Sequence, residues 1–222
     1  MIRFIGLGDW GETSTNAGLP AVPDAILAHA DSIDFVVSAR DNFYDTGVSA
    51  MTDAQWTITW FNRYAIGSRV TVPWFSIMGN HDHDGNTEAQ LAFAKATRPG
   101  SKCWVMPSEF YAVDDVDATG NRFKLVLTDT ITSREAELRG SRRNLRVLQR
   151  RLLLLWAIST STRLVAVVIR QMPLKAKAYI CGHKHDMQLL RTGKMDYYGI
   201  GGGGRGINFD AVAPGTAAAI KY

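Results

Sequence analysis

Residues 34–44 read Asp34-Phe35-Val36-Val37-Ser38-Ala39-Arg40-Asp41-Asn42-Phe43-Tyr44. The stretch opens as a short apolar strand, predicted over Asp34–Ser38, and then turns abruptly to a carboxylate, an amide and a phenol. A near-continuous apolar run is what a strand covered on both faces requires. Polar donors directly after it sit where open α/β sheets place their ligands, beyond the carboxyl ends of the strands. The same order recurs three times. Strand Ile2–Gly8 runs into Gly8-Asp9-Trp10-Gly11, and strand Val72–Met78 runs into Gly79-Asn80-His81-Asp82-His83. Strand Ala178–Cys181 runs into Gly182-His183-Lys184-His185.

Working outward, further strands are predicted at Lys124–Thr128, Leu164–Ile169, Tyr197–Ile200 and Ala217–Tyr222. Helices are predicted at Pro20–Ala30, Asp53–Ala65, Thr87–Thr97 and Arg134–Ser159. Alternating strands and helices predict an α/β fold of layered, mixed β-sheets, a sandwich flanked by helices, formed by one domain over residues 1–222. Turn residues at Asp117–Asn121 predict an added hairpin. The glycine run Gly201–Gly204 reads as a tight loop at a strand end.

Composition sets outer limits. Apolar residues make up 46% of the 222, enough for a sizeable core and against global disorder. The formal charge of +4 suits anionic substrates, but six arginines lie between Arg139 and Arg151. Leu145, Leu148, Leu152 and Leu155 recur there at helical spacing, so the stretch reads as an amphipathic helix with a solvated basic face. A nucleic-acid or membrane-surface patch is the competing reading, and neither partner is expected. No run approaches the ~18 apolar residues of a membrane span. Met1 leads straight into a strand with no signal peptide, which predicts a cytosolic chain as written. Cys103 and Cys181 read as two buried thiols; pairing depends on the fold.

Singly, each strand-end motif reads as an ordinary loop. Asp41 and Asn42 are good turn formers, and two histidines at i, i+2 occur by chance. Jointly they are not ordinary. Four strand ends deliver oxygen or imidazole donors beside glycines, and four of the five histidines fall in two of these clusters. Carboxylate, amide, phenol and imidazole donors suit hard or borderline ions rather than thiolate chemistry. Two such ions roughly 3.5–4 Å apart are the usual clamp for phosphoryl hydrolysis.

The combination of GDWG (8–11), DNFYDTGV (41–48), GNHDHDGN (79–86) and GHKHDMQ (182–188) resembles the purple acid phosphatases of the tartrate-resistant type, within the calcineurin-like metallophosphoesterases. The resemblance implies hydrolysis of small phosphate monoesters at a dinuclear centre. It implies Fe(III) on Asp9, Asp41, Tyr44 and His185. It implies a divalent ion (Fe, Zn or Mn) on the bridging Asp41 with Asn80 and His183. His81 would contact the phosphate and donate a proton to the leaving group, which suits mildly acidic pH. The family is usually secreted or lysosomal; a monomer is expected.

The chain departs from the pattern. The family has Gly-His-(aromatic)-Pro after the strand matching Leu164–Ile169, where this chain has Arg170-Gln171-Met172-Pro173. No histidine lies between His83 and His183, so one ligand of the divalent ion is missing. Only residues 170–177 separate Leu164–Ile169 from Ala178–Cys181. Parallel neighbours need a crossover of about a dozen residues, so a deletion near 170–177 is expected. Arg40 stands where the family has glycine, and Asp186 replaces an asparagine. The expected function is therefore an acid phosphatase with an impaired second metal site. Its alternatives are an inactive remnant that binds metal or phosphate and a poorly folding fragment.

Overall fold

The computed structural model describes residues 2–12, 21–64, 71–116, 120, 122–129, 131, 153–158, 178–192 and 195–205. Strands β1 (Phe4–Leu7), β2 (Phe35–Ala39), β3 (Trp74–Ile77) and β4 (Trp104–Val105) form one sheet in that order, all parallel. The second sheet is mixed. It contains β5 (Phe110–Val116), β6 (Arg122–Thr128), β7 (Leu153–Ile158), β8 (Ala178–Cys181), β9 (Met187–Thr192) and β10 (Met195–Ile200). Its order is β5-β6-β7-β8-β10-β9. Pairs β5/β6 and β9/β10 are antiparallel, and the others are parallel. The hairpin expected across Asp117–Asn121 is the β5/β6 pair, with Val116 opposite Arg122.

The alternation of β2 explains the layering. Phe35, Val37 and Ala39 point between the sheets and meet Tyr111, Phe123, Leu125, Leu127 and Ile180. Phe35 stacks on Phe4 at 5.2 Å and on Phe123 at 4.9 Å. Val36 points the opposite way, into a second core. That core holds Trp10, Trp56, Trp60, Trp74 and Trp104 with Phe43, Tyr64 and Phe93. Trp10 is its centre, with five aromatic neighbours at 4.8–6.4 Å. Each such pair adds roughly 0.5–1.5 kcal/mol beyond area burial.

Helix α1 (Ala21–His29) and a 3-10 turn (Ala30–Ser32) occupy the first predicted helix. The helix expected over Asp53–Ala65 is instead a π-helical segment, Trp56–Phe61. Its wider turn, with Asn62 N–H donating to Thr57 O at 2.9 Å, buries Trp56, Thr59 and Trp60 together. Short helix α2 (Asn80–His83) and helix α3 (Thr87–Phe93) follow β3. Asn86 caps α3, its side chain accepting from Ala89 N–H at 3.0 Å.

Two expectations change. Residues 153–158 are strand β7, not the end of a helix over Arg134–Ser159; the rest of that helix lies outside the described residues. The run LLLWAI has no polar position, so helical and strand readings fit it equally, and pairing with both β6 and β8 decides. The parallel neighbour that precedes β8 in the chain is therefore β7. Residues 159–177 separate them, ample for a crossover, so the length argument for a deletion does not hold. The strands expected at Leu164–Ile169 and Ala217–Tyr222 lie outside the described residues. No disulfide joins Cys103 and Cys181, and both are only partly buried. No helix among the described residues is long and apolar enough to cross a membrane.

Candidate active site

Parallel strands β1, β2 and β3 carry Asp9, Asp41 and Asn80 just past their carboxyl ends, and β8 carries His183 and His185. Three interactions hold these ends in register. Gly8 N–H donates to Ile200 O at 2.8 Å, Asp9 N–H to Arg40 O at 3.1 Å, and Gly11 N–H to Asp41 O at 3.2 Å. Trp10 Nε1–H donates to Ser38 Oγ at 2.6 Å, and Ser38 Oγ–H donates to Asn42 Oδ1 at 2.7 Å. The aromatic core thus anchors both loops from below.

Asp82 ties the β2 and β3 loops together. Its fully buried carboxylate accepts from Gly79 N–H at 2.8 Å, Asn42 N–H at 3.0 Å and Phe43 N–H at 3.2 Å. It also accepts from Gln90 Nε2 at 2.8 Å and Asn42 Nδ2 at 3.2 Å. Burial and the Asp41 charge push its pKa up to about 7 against those donors.

The backbone is unusual at this rim. Among the described residues, the non-glycine positions with positive φ are Asp9 (58°), Arg40 (96°), Asp41 (43°) and His183 (81°). Each such conformation costs on the order of 1–3 kcal/mol and marks a functional constraint when it clusters. Space is equally tight: a Cβ at Gly182 would lie 2.5 Å from Asp9 Oδ2 and 2.7 Å from Arg40 Cγ.

Asp9, Asp41, Tyr44 and His185 meet directly. Tyr44 Oη lies 3.1 Å from Asp9 Oδ1, 3.0 Å from Asp41 Oδ2 and 3.4 Å from His185 Nε2. His185 Nε2 is 3.5 Å from Asp9 Oδ1. Burial and the two carboxylates push the Tyr44 pKa well up, so the phenol keeps its proton and donates. Burial raises the pKa of Asp9. Burial acts the same way on Asp41, but the Arg40 charge and hydrogen bonds from its neighbours outweigh it and hold Asp41 below the usual range.

Asn80, His81 and His183 reach the same rim differently. Asn80 Oδ1 accepts from Arg40 Nη2. His81 N–H donates to Asp41 Oδ1 at 3.3 Å, and its ring Nδ1 lies 2.5 Å from Asp45 O. A carbonyl oxygen only accepts, so Nδ1 carries a proton. His183 is anchored by its backbone N–H on Asp9 Oδ2 at 2.8 Å, while its side chain is exposed. Burial and the Arg40 charge lower its pKa. Among the described residues no group of three or more His, Cys, Asp or Glu side chains stands ready to hold a metal ion.

Three residues join the site that sequence reasoning did not place there. Arg40 inserts its guanidinium between the carboxylates. Arg205, just past the Gly201–Gly204 loop, lays its guanidinium 4.4 Å from the Tyr44 ring centroid and pairs with Asp45 at 2.7 Å. Asp129, directly after β6 and fully buried, bonds the His83 ring. Burial opposes the charge on His83, but the Asp129 hydrogen bond and charge outweigh it and raise the pKa above 6.5. That pair is fully stabilising below 6.5 and loses its contribution as pH rises through the raised value. Thermal unfolding of the wild type should therefore shift to lower temperature as pH rises from 6.5 through that raised value. Asp129→Asn should make that slope shallower, leaving the part that buried Asp82 contributes; an unchanged slope would assign all of it elsewhere.

Residues 2–199 match the calcineurin-like phosphoesterase family. The chain belongs to that family. Its α/β layers are the calcineurin-like metallophosphoesterase fold, and its relatives are phosphoester hydrolases. Human tartrate-resistant acid phosphatase type 5 is 29% identical over 246 residues, covering 91% of this chain and 73% of the relative. Purple acid phosphatase 17 of Arabidopsis thaliana is 39% identical over 92 residues, covering 41% of this chain and 27% of the relative. Among solved structures, purple acid phosphatase PPD1 from yellow lupin superposes with a TM-score of 0.60 at 15% identity, covering 96% of this chain and 46% of that one. GAP50, described as the anchor in the inner membrane complex of Plasmodium, gives 0.80 at 20% identity, covering 97% of this chain and 76% of that one.

Proposed function

We propose that the site is built for metal-dependent hydrolysis of small phosphate monoesters, of the acid-phosphatase type, and that its turnover is impaired. The observation that carries this is the mutual contact of Asp9, Asp41, Tyr44 and His185 at the ends of β1, β2 and β8. Two carboxylates, a phenol and an imidazole in one cluster match the donor preferences of Fe(III) in kind. A bound cation would supply charge neutralisation at the phosphate and acidify water beside it. His81, with Nδ1–H held on Asp45 O, would give the leaving oxygen a proton from Nε2 only as the doubly protonated imidazolium, and would keep the Nδ1 proton afterwards.

The divalent side fits poorly. Asn80 Oδ1 and Asp41 already face Arg40, His183 is exposed, and the family's intervening histidine is absent from the sequence. The match to the human phosphatase runs over 246 positions, more than this chain's 222 residues, so that relative carries residues with no counterpart here. This supports a shortened chain without locating the loss. The second reading, a non-catalytic remnant that binds one metal or a phosphate ligand, is favoured by the poor fit of the divalent side, where Arg40 already engages Asp41 and Asn80.

The iron side has its own test. Fe(III)-loaded protein should show a visible phenolate charge-transfer band, and Tyr44→Phe should abolish it. A fully iron-loaded but colourless wild type would remove Tyr44 from the ligand set.

A further inference from the structure

We infer that Arg40 is a built-in cation that takes the place of a metal ion at Asp41 and Asn80, so that the arginine and a divalent ion compete for the same oxygens. The inference rests on the reading of Asp41 and Asn80 as the divalent side.

The geometry is specific. Arg40 is only 1% exposed, the sole arginine among the largest fully buried side chains. Its Nη2 lies 3.2 Å from Asp41 Oδ1 and 3.1 Å from Asp41 Oδ2, and it also donates to Asn80 Oδ1. Its Nε is 3.8 Å from Asp9 Oδ1. One guanidinium therefore faces both carboxylates and the amide oxygen, the oxygen set that a bridging-carboxylate metal site would use. Guanidinium and divalent cation answer the same electrostatic need, the neutralisation of carboxylates held out of water. They cannot answer it at once, because Nη2 already lies within hydrogen-bond distance of Asp41 Oδ1, Asp41 Oδ2 and Asn80 Oδ1, the oxygens the ion would need.

The backbone shows that the arginine is held there against its own preference. Position 40 has φ 96°, a conformation suited to glycine. A surface arginine gains nothing from that strain, whereas one pinned by two buried acids is compensated through its ion pairs. A metal-loaded site would need no cation from the chain, and glycine would be relaxed at this position.

The test is metal content and thermal unfolding of the full chain, each measured after chelation and after saturation with Zn²⁺ or Mn²⁺ followed by desalting. Wild type should retain less than about one divalent ion per chain, and its Tm should not respond to chelator. Arg40→Gly should retain about one more ion than wild type. Without metal its buried carboxylates lose their partner, so its Tm should fall by roughly 10 °C and recover on adding metal. A variant that folds only with metal supports the inference. Two tightly held ions in wild type overturn it, and so does an Arg40→Gly chain that folds but takes up no more metal than wild type. Arg40→Lys, which keeps a charge without the planar fork, guards against a variant that fails to fold at all: it should lie between the two in metal uptake, and a lysine chain no different from wild type overturns the inference. Failure of the hydrolase reading looks different. An Arg40→Gly chain that binds metal yet does not hydrolyse phosphate esters leaves the role of Arg40 standing and removes the enzyme.

Discussion

Asp82→Ala is expected to destabilise the chain by about 4 kcal/mol or more, the largest single-residue effect in the rim. The carboxylate accepts from Gly79 N–H, Asn42 N–H, Asn42 Nδ2, Phe43 N–H and Gln90 Nε2, and every one of these partners is buried. Truncation leaves buried donors with no acceptor, at roughly 1–3 kcal/mol each before relaxation. Against a total stability of about 5–15 kcal/mol, that threatens the fold itself. Urea unfolding measures it directly. A loss below about 1 kcal/mol would mean that the two loops are held by something other than this carboxylate. Asp82→Asn, which keeps an acceptor oxygen but points an amide at donors, should fall between the two.

Catalytic repair is expected to need two changes together. Replacing Arg170, Gln171 and Met172 by Gly, His and Tyr, ahead of the native Pro173, restores the missing motif. In the Arg40 background, where the guanidinium already neutralises Asp41, kcat/KM toward an aryl phosphate should rise less than about 10-fold. In the Arg40→Gly background the same repair should raise it more than about 100-fold, since a direct ligand outweighs the 10–100-fold typical of its supporting partners. Equal gains in both backgrounds would show that Arg40 does not obstruct the site. No gain in either, with both chains folded and metal-loaded, would move a binding role ahead of hydrolysis.

The strand ends were legible in the sequence because each apolar run turns directly into chemistry-bearing residues, beside a glycine at Gly8, Gly79 and Gly182. Phe35–Ala39 lies where Asp34–Ser38 was expected, and Ala178–Cys181 where the run was read. The gathering of Asp9, Asp41, Tyr44 and His185 follows from that register, though their roles as ligands remain a proposal. Residues 153–158 were not legible, because LLLWAI has no polar position by which periodicity could choose between helix and strand. The paired strand β9 was missed because Met187–Thr192 mixes apolar and polar residues without a clear alternation. Arg40 could be flagged as the wrong residue for its place, but not located: only the folded backbone, with φ 96° and two acids within reach, decides that its side chain turns inward. The Asp82 hub was hidden for a related reason. Its donors come from residues 42, 43, 79 and 90, and no local pattern announces a contact across that separation.

The wild-type arm of the repair assay tests the central claim most directly. Hydrolysis of an aryl phosphate is followed at mildly acidic pH, first on chelated protein and then with Fe(III) and excess Zn²⁺ or Mn²⁺. The account predicts no turnover after chelation and slow turnover that grows with added divalent metal without saturating at one equivalent, because each ion must displace Arg40 from a site short of one histidine. Fast turnover that survives chelation, or that matches the repaired Arg40→Gly chain without added metal, would contradict it.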